Sequence, residues 1–390
     1  MKIFLLLLLS LFIANCTKNA DADLGQPAIL SFTQHIDTTG AEVTIVGRNF
    51  SKTPSHNKVT FNTAATKAFF STGDTLRVMV PTSATTGLIG VTVNNKNIYS
   101  VDTFYVGTGR WRKMADFPGG PRCCAVGFSI GNKGYIAGGS GTQNYSDLWE
   151  YDMALDKWTR RADFPDPSLN DAVCFVLSGK AYVGFGRSNI YPYSPTFYAY
   201  DPQTDTWTQK TGLTYGVFSN LKALSIVVGG KGYLLQNPGG NAVYSYDPAL
   251  DQWTTKAGFP GGGRNAAAGF SIGNKGFLVG GAAGNTGADQ KDCWEYDPGT
   301  DQWTAKTGPR IEIYDDVGFS INGRGYVGND FFFQKLFLEY DPVGDSWSLK
   351  APFPGLASGG AASFVLNDTA FVATGQYSNT ITSEVWRFVP

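Results

Sequence analysis

Histidine is almost absent from this chain, because its 390 residues include only His35 and His56. Residues 57–390 therefore lack the imidazole that a Ser-His-Asp triad uses as its general base and that copper sites use as a ligand. An excess of either charge is also missing, since 31 basic residues balance 32 acidic ones to a formal charge of −1. Without a basic footprint, the sequence predicts no nucleic-acid partner and no attraction to anionic lipid.

No apolar run is long enough to cross a bilayer. Residues 1–16, "MKIFLLLLLSLFIANC", carry Lys2, a short apolar run and small residues before Cys16, as a secretory signal does. The "IANC" stretch resembles the lipobox of bacterial lipoproteins, which implies lipidation of Cys16 and anchoring in the bacterial cell envelope. We expect the outer membrane, on its periplasmic side or its surface; an ordinary cleaved signal is the alternative. Residues 17–26 form a polar tether.

Heptad patterns are scarce, whereas 48 glycines and 14% aromatic residues favour an all-β chain rich in turns. In residues 27–106 the segments "AEVTIVGRNF", "KVTFNT", "TLRVMVP" and "IGVTVNN" alternate apolar and polar side chains, which predicts a small β-sandwich. These blocks resemble an IPT/TIG domain of the immunoglobulin-like class. The resemblance implies a spacer or a partner-contact module.

Residues 107–390 repeat one phrase. Five copies, such as "VYSYDPALDQW" and "CWEYDPGTDQW", end in tryptophan, and with Trp111 these tryptophans are 44 to 50 residues apart. That period matches repeats of four strands, so we predict a six-bladed β-propeller in which the phrase forms the turn between the third and fourth strands. The "GRWRKM" segment around Trp111 precedes the first repeat, while the last repeat stops after three strands. We therefore expect this segment to complete the sixth blade and close the ring.

The paired glycines of "AGG" and "VGG", together with "YDPxTDxW", resemble the kelch repeat over about 280 residues. Short, similar turns mark one face of the predicted propeller, and loops that differ from blade to blade mark the other. Recognition usually resides in variable loops on a rigid scaffold. We therefore predict a ligand-binding face that uses aromatic stacking and arginine forks. Its candidate residues are Arg122, Arg187, Tyr191, Tyr193, Tyr215, Arg264, Arg310, Phe331, Phe332 and Tyr377.

The structural alternative for each candidate is core packing for an aromatic ring and pairing with a carboxylate such as Asp171 or Asp315 for an arginine. Kelch propellers include copper-radical oxidases, whose histidine ligands are missing here, and sialic-acid mutarotases, which need only acid-base groups. This resemblance implies a competing hypothesis, a carbohydrate-active isomerase using carboxylates of the channel. The acids available to it are Asp171, Glu312, Asp315 and Asp316.

The favoured hypothesis is a non-catalytic lipoprotein of the cell envelope that binds a glycan or an envelope protein through the variable face, with no cofactor and no metal. A structural role in an envelope assembly without a small ligand is the third possibility. Four cysteines, Cys123, Cys124, Cys174 and Cys293, lie in the predicted propeller, where an exported protein permits pairing. Cys123 and Cys174 are expected on inner strands of adjacent blades, where they could meet, and strand alternation is expected to send Cys123 and Cys124 to opposite faces. Buried free thiols that act as small apolar residues are an equally favoured alternative.

Overall fold

A computed structural model describes residues 25–33, 35–166, 169–187, 194–213, 223–235, 240–283, 287–315, 317–328, 335–356 and 359–390. The chain divides into two compact units, Met1–Val106 and Gly107–Pro390. Among the described residues, no helix has the length and apolar character that crossing a membrane requires.

The first unit is a two-layered β-sandwich. One sheet consists, in spatial order, of Ala28–Phe32, Glu42–Arg48, Thr75–Met79 and Phe70–Ser71. The other consists of Ile36–Asp37, Lys96–Val106, Gly87–Val93, Lys58–Phe61 and Ala64–Lys67. The connection from Glu42–Arg48 to Lys58–Phe61 contains a 3-10 turn, Pro54–His56. The inward positions of the alternating segments, including Val43, Ile45, Val59, Phe61 and Leu76, form the shared core, as the alternation predicts.

In the described part of the second unit, six four-stranded antiparallel sheets follow one another as blades. We label the strands of each blade a to d from the channel outward. Blade 1 contains Val126–Ile130, Lys133–Ser140, Asn144–Asp152 and Lys157–Arg161; blade 2, Val173–Leu177, Lys180–Gly184, Phe197–Asp201 and Thr206–Gln209; blade 3, Leu224–Val228, Lys231–Leu235, Val243–Asp247 and Gln252–Lys256; blade 4, Ala268–Ile272, Lys275–Val279, Cys293–Asp297 and Gln302–Lys306; blade 5, Val317–Ile321, Arg324–Gly328, Phe337–Asp341 and Ser346–Leu349; and blade 6, Ala362–Leu366, Thr369–Ala373, Val385–Val389 and Arg110–Lys113. Two short antiparallel pairs lie outside the blades: Arg264–Asn265 with Ala282–Ala283, which flank strands a and b of blade 4, and the hairpin of Gln376–Tyr377 with Thr380–Ile381.

The ring closes as the sequence predicts. Arg110–Lys113 pairs antiparallel with the C-terminal strand, with Arg110 opposite Val389 and Trp111 opposite Phe388. The a strands of neighbouring blades contact each other all the way round, including blade 6 with blade 1. Closure leaves the propeller without a free inner edge and ties its two ends together.

The repeated phrase forms the seam between blades. In blade 4, the buried Tyr296 donates its hydroxyl hydrogen to Asp301, and the same carboxylate accepts the backbone N–H of Ala257, in the linker arriving from blade 3. Trp303 donates its indole N–H to the Ala257 carbonyl. Five blades repeat the Tyr–Asp bond at 2.6 to 2.8 Å, through Tyr151–Asp156, Tyr200–Asp205, Tyr246–Asp251, Tyr296–Asp301 and Tyr340–Asp345. The phrase therefore recurs because each blade must hold the linker that enters it.

Blade 6 makes this seam without the acid, because its c and d strands come from opposite ends of the propeller. Phe388 occupies the tyrosine position opposite Trp111. The backbone carbonyl of Thr108 accepts the N–H of Ala351 at 2.7 Å, as the carboxylate does elsewhere. Trp111 still donates to the Ala351 carbonyl at 2.9 Å. A backbone oxygen thus replaces the side chain where the chain has no continuous turn.

Candidate functional site

Two sets of loops meet on one face of the propeller. The loops leading into strand a pair with the loops between strands b and c through Cys123 with Ser140, Asn170 with Arg187, Arg264 with Ala283 and Gly359 with Gln376. These pairs come from blades 1, 2, 4 and 6. The loops that vary between blades therefore surround one end of the channel, which we call the mouth.

The channel is narrow and uncharged. Its cavity of about 350 Å³ is lined by a-strand residues of blades 1 to 5. Small residues dominate the walls: Gly127, Ser129, Cys174, Val176, Ser225, Val227, Gly269, Ser271, Gly318 and Ser320. The described lining of this cavity includes no carboxylate, and the acids Asp171 and Asp315 of the isomerase hypothesis lie at the mouth.

The mouth is encircled by residues in the left-handed backbone region. In each blade the residue two positions before the first residue of strand a occupies an equivalent place; in blade 3 this position, Lys222, lies outside the described residues. The others are Cys124, Asp171, Ala266, Asp315 and Gly360, with φ between 49° and 60°. A φ above zero is uncommon for residues other than glycine and concentrates at functional sites.

Backbone hydrogen bonds link these residues from blade to blade. The Cys124 N–H donates to the Gly360 carbonyl at 2.7 Å, and the Asp171 N–H donates to the Cys124 carbonyl at 3.0 Å. The Asp315 N–H donates to the Ala266 carbonyl at 2.9 Å in the same way. The mouth is therefore built on a hydrogen-bonded scaffold that holds each residue at a set position.

Two of the five positions carry carboxylates. Asp171 belongs to blade 2 and Asp315 to blade 5, which stand opposite each other in a ring of six. Asp171 is 10% exposed and forms a close ion pair with Arg187, whose side chain remains 43% exposed. Arg187 also donates to the Asn170 amide oxygen at 3.2 Å. Arg187 thus follows the structural alternative, pairing with Asp171, while its guanidinium still faces solvent at the mouth.

Adjacent cysteines complete this part of the mouth. The sulfurs of Cys123 and Cys124 are 3.2 Å apart, and both thiols are free. The sequence-based placement is wrong on two points, because Cys123 precedes strand a of blade 1 and the two side chains do not diverge. The left-handed backbone at Cys124 interrupts the strand alternation and brings the sulfurs together. Cys174 is also free, so the expected meeting with Cys123 produces no disulfide.

Arg122 and Arg264 lie inside the propeller, and not on an exposed face as the sequence predicts. Arg122 is fully buried, with Nη1 bonded to Asp147 Oδ1 at 2.5 Å and to the Gly138 carbonyl at 2.8 Å. Arg264 is 4% exposed and bonds to Asp292 at 2.7 Å. Their guanidinium groups also lie over Phe117 and over Phe259. The shared spellings "FPGGPR" with "DLW" and "FPGGGR" with "DCW" were the signal of this common structural role.

The remaining candidates divide between the described and undescribed residues. Arg310 and Tyr377 are exposed, and Tyr377 lies on the short hairpin of blade 6. Glu312 forms an ion pair with Lys291 at 3.4 Å. The part of the chain that the structure describes contains no group of three histidine, cysteine or carboxylate side chains suited to a metal ion. Cys16, Tyr191, Tyr193, Tyr215, Asp316, Phe331 and Phe332 lie outside the described residues.

Comparison with known proteins places both units. Residues 27–106 match the IPT/TIG domain family. A solved structure titled "Structure of YjhT", of a kelch-repeat propeller protein, aligns with 70% of this chain and 95% of its own chain, at a TM-score of 0.57 and 16% sequence identity. The second unit has the kelch-propeller fold. A search of curated proteins gave no match to this sequence.

This likeness concerns the fold. Matches to the chain extend over 675 chains of solved structures, and propellers host unrelated activities, so the fold selects no reaction or ligand. Function must be argued from the mouth of this kelch propeller, where the carboxylates, Arg187 and the cysteine pair converge.

Proposed function

We propose that the propeller binds a saccharide of a glycan at the mouth of its channel. The observation that supports this most directly is the placement of Asp171 and Asp315 at equivalent positions of opposite blades, on the face where the variable loops meet. Paired carboxylates accept hydrogen bonds from sugar hydroxyls, and bonds to charged acceptors are among the stronger ones. The half-exposed Arg187 adds donors for a hydroxyl or carboxylate of the ligand.

The walls below the mouth fit a ligand held at the rim. The described lining is glycine, serine and apolar residues and carries no charged group, so we expect the specific polar contacts from the mouth and its loops. Arg122 and Arg264 contribute indirectly in this proposal, because their buried ion pairs hold the loops that precede strand a. The exposed Arg310 and Tyr377 remain candidate contacts at the periphery of the same face.

A glycan array followed by titration calorimetry tests the proposal. We expect the full chain to bind a defined saccharide and the Asp171→Asn/Asp315→Asn variant to bind it at least about tenfold more weakly, since one lost charged hydrogen bond is worth roughly 1.5–3 kcal/mol. Asp247→Asn is the matched control, because Asp247 ends strand c of blade 3 at the opposite end of the blade. Equal binding by the double variant would refute the site, and capture of an envelope protein that free saccharides do not displace would refute the ligand class.

A carbohydrate isomerase is the second candidate, and the same opposed carboxylates favour it. One carboxylic acid can donate a proton to a sugar oxygen while a carboxylate across the mouth accepts one. Exchange NMR of a reducing sugar distinguishes the two functions. Faster interconversion of the anomers with the wild-type chain, lost in Asp315→Asn, supports catalysis, whereas binding without faster exchange supports a lectin-like protein.

We further propose that the chain is a lipoprotein of the bacterial cell envelope, anchored through Cys16 at the outer membrane. The apolar run and the "IANC" sequence support this location. Metabolic labelling with a fatty acid and partition into detergent test it, with Cys16→Ser as the variant. We expect Cys16→Ser to lose the label and move to the aqueous phase; an unlabelled wild-type chain would contradict the anchor.

A further inference from the structure

The cysteine pair at the mouth has the geometry of a dithiol and not of two unrelated core residues. Cys123 and Cys124 are neighbours in the chain, and their sulfurs are 3.2 Å apart. A disulfide bond measures about 2.05 Å, so the sulfurs need to approach by only about 1.2 Å to bond. Cys124 is partly exposed, which gives the pair access to solvent.

The backbone on both sides holds the pair in place. Cys123 exchanges two backbone hydrogen bonds with Ser140, each of 2.8 Å. Cys124 bonds through its N–H to Gly360 and through its carbonyl to Asp171. The sulfurs therefore meet because a rigid scaffold positions both residues, which lowers the entropic cost of bonding them.

Gly360 lies next to the cysteine pair, and because it has no side chain the two cysteine side chains have room there. A Cβ added to Gly360 would lie 3.2 Å from the Cys123 Cβ and 3.4 Å from the Cys124 sulfur. Cys124 itself adopts φ of 60°, a conformation that a cysteine side chain rarely adopts. The same backbone region occurs at the equivalent positions of four other blades, so the scaffold sets this conformation, and glycine at position 360 leaves room beside it for both sulfurs.

We propose that Cys123 and Cys124 form a reversible vicinal disulfide by exchange with a low-molecular-weight disulfide. A thiolate of the pair attacks the disulfide RSSR, forms a mixed disulfide and releases RS⁻. The neighbouring thiol gives its proton to RS⁻ and attacks the protein sulfur of the mixed disulfide, which releases a second RS⁻ that takes up a proton from solvent. The pair is oxidised by two electrons, and RSSR is reduced to two RSH.

The electrostatics of the pair suit this chemistry. The Cys124 S–H donates a hydrogen bond toward Cys123, which lowers the pKa of the Cys123 thiol below its ordinary value despite its burial. The same contact, together with burial, raises the pKa of Cys124. Cys123 therefore loses its proton more readily than Cys124, and the thiolate is the form that attacks a disulfide.

The other two described thiols of the propeller provide an internal comparison. Burial raises the pKa of Cys174, and burial followed by the charge of Asp345 raises the pKa of Cys293. Both remain protonated near neutral pH and have no cysteine partner among the described residues. They are expected to resist exchange in the folded chain.

Oxidised glutathione is the probe for the test. The reduced, folded full chain is incubated with it, quenched with N-ethylmaleimide and mapped by peptide mass spectrometry. We expect the peptide containing Cys123 and Cys124 to lose two hydrogens and to carry neither glutathione nor maleimide, while Cys174 and Cys293 react only after denaturation. Reduced glutathione should restore both thiols without denaturant, because a strained disulfide is readily reduced.

Single substitutions isolate the intramolecular step. Cys123→Ser and Cys124→Ser should each retain a glutathione adduct on the remaining thiol, at least about tenfold more abundant than in wild type, because no neighbouring thiol displaces it. If a variant fails to fold, the peptide map of the wild-type chain still tests the proposal. A stable glutathione adduct on wild type, thiols that remain unmodified, or a bond from Cys123 to Cys174 would each overturn the proposal. Because no saccharide is present, the result is independent of the proposed binding function.

Discussion

Removing the hydroxyl of Tyr296 should measure what one seam contributes to the propeller. This tyrosine is fully buried, and its hydroxyl lies 2.6 Å from the Asp301 carboxylate that also holds the Ala257 N–H at 3.0 Å. Tyr296→Phe deletes one donor and leaves the ring packed in a tilted arrangement against Trp303. The substitution therefore tests the hydrogen bond without opening a large cavity.

The expected loss follows from the charge of the acceptor. A hydrogen bond to a charged group contributes about 1.5–3 kcal/mol, and since the Asp301 oxygen keeps its backbone partner we expect about 2 kcal/mol. For a unit of this size, each kcal/mol lowers the melting temperature by about 2 °C, so Tyr296→Phe should melt about 4 °C below wild type. All 9 tryptophans lie after residue 106, so tryptophan fluorescence follows the propeller alone.

Tyr244→Phe is the matched control. Tyr244 lies on the same type of c strand in blade 3, is partly exposed, and its hydroxyl has no hydrogen-bond partner among the described residues. A double-mutant cycle with Asp301→Asn should show that the two substitutions together cost less than the sum of their separate effects. If Tyr296→Phe melts with wild type, or if the two effects simply add, the seam does not hold the linker in the way described.

Three further outcomes follow from the same seams. Trp158→Phe should cost about 1–2 kcal/mol less than Trp303→Phe in urea unfolding, because the buried Trp158 indole N–H has no partner within the described part of the chain, whereas that of Trp303 bonds to a carbonyl; equal costs would contradict this. Trp111→Ala should cost about 3–5 kcal/mol, because Trp111 packs against Phe337, Phe353 and Phe388 where the ring closes, and a loss below about 1 kcal/mol would mean that the closing strand is dispensable. The melting temperature should stay level above about pH 5 and fall as the pH drops below about 4. Burial raises the pKa of Asp301, but the hydrogen bonds from Tyr296 and the Ala257 N–H outweigh this effect, so the pKa in the folded chain is lowered. Such a carboxylate stabilises the fold above its unfolded pKa and loses that stabilisation when it is protonated. Asp301→Asn should flatten the acid limb of this profile, and an unchanged limb would show that the seam acids do not set it.

The blades could be predicted well because each one contains a copy of the same short phrase, so the strands and the turn of every blade follow from neighbouring residues. Every copy of the phrase places an aspartate where a turn needs one, and Asp297 indeed accepts the Gly299 N–H at 2.9 Å. The second aspartate of the phrase was harder to interpret. Asp301 bonds to a residue 44 positions earlier in the chain, and no local rule connects them. The turn was therefore predictable, while the contact with the linker needed the assembled ring.

The site was predicted less well, and the reason is physical. An arginine in a variable loop reads as exposed, yet Arg122 and Arg264 are drawn inward because each finds an aspartate and an aromatic ring within its own blade. Side-chain identity alone does not reveal this burial; the signal that could have revealed it is the near-identical segments "FPGGPR" and "FPGGGR", each followed by an Asp-X-Trp, because such recurrence is typical of a packing role. Conversely, the five described mouth positions hold four different residue types, so no shared residue marks them in the sequence.

What the mouth residues share is a backbone position, which the sequence encodes only as an offset from strand a. Cysteine, aspartate, alanine and glycine all adopt the left-handed region there, because the hydrogen bonds between blades fix the backbone whatever the side chain. The side chain at this position can therefore differ from blade to blade while the backbone hydrogen bonds between blades stay the same. This freedom explains how opposed carboxylates and a pair of adjacent cysteines can occupy one mouth: the ring supplies the strain and the position, and the residue placed on it supplies the function.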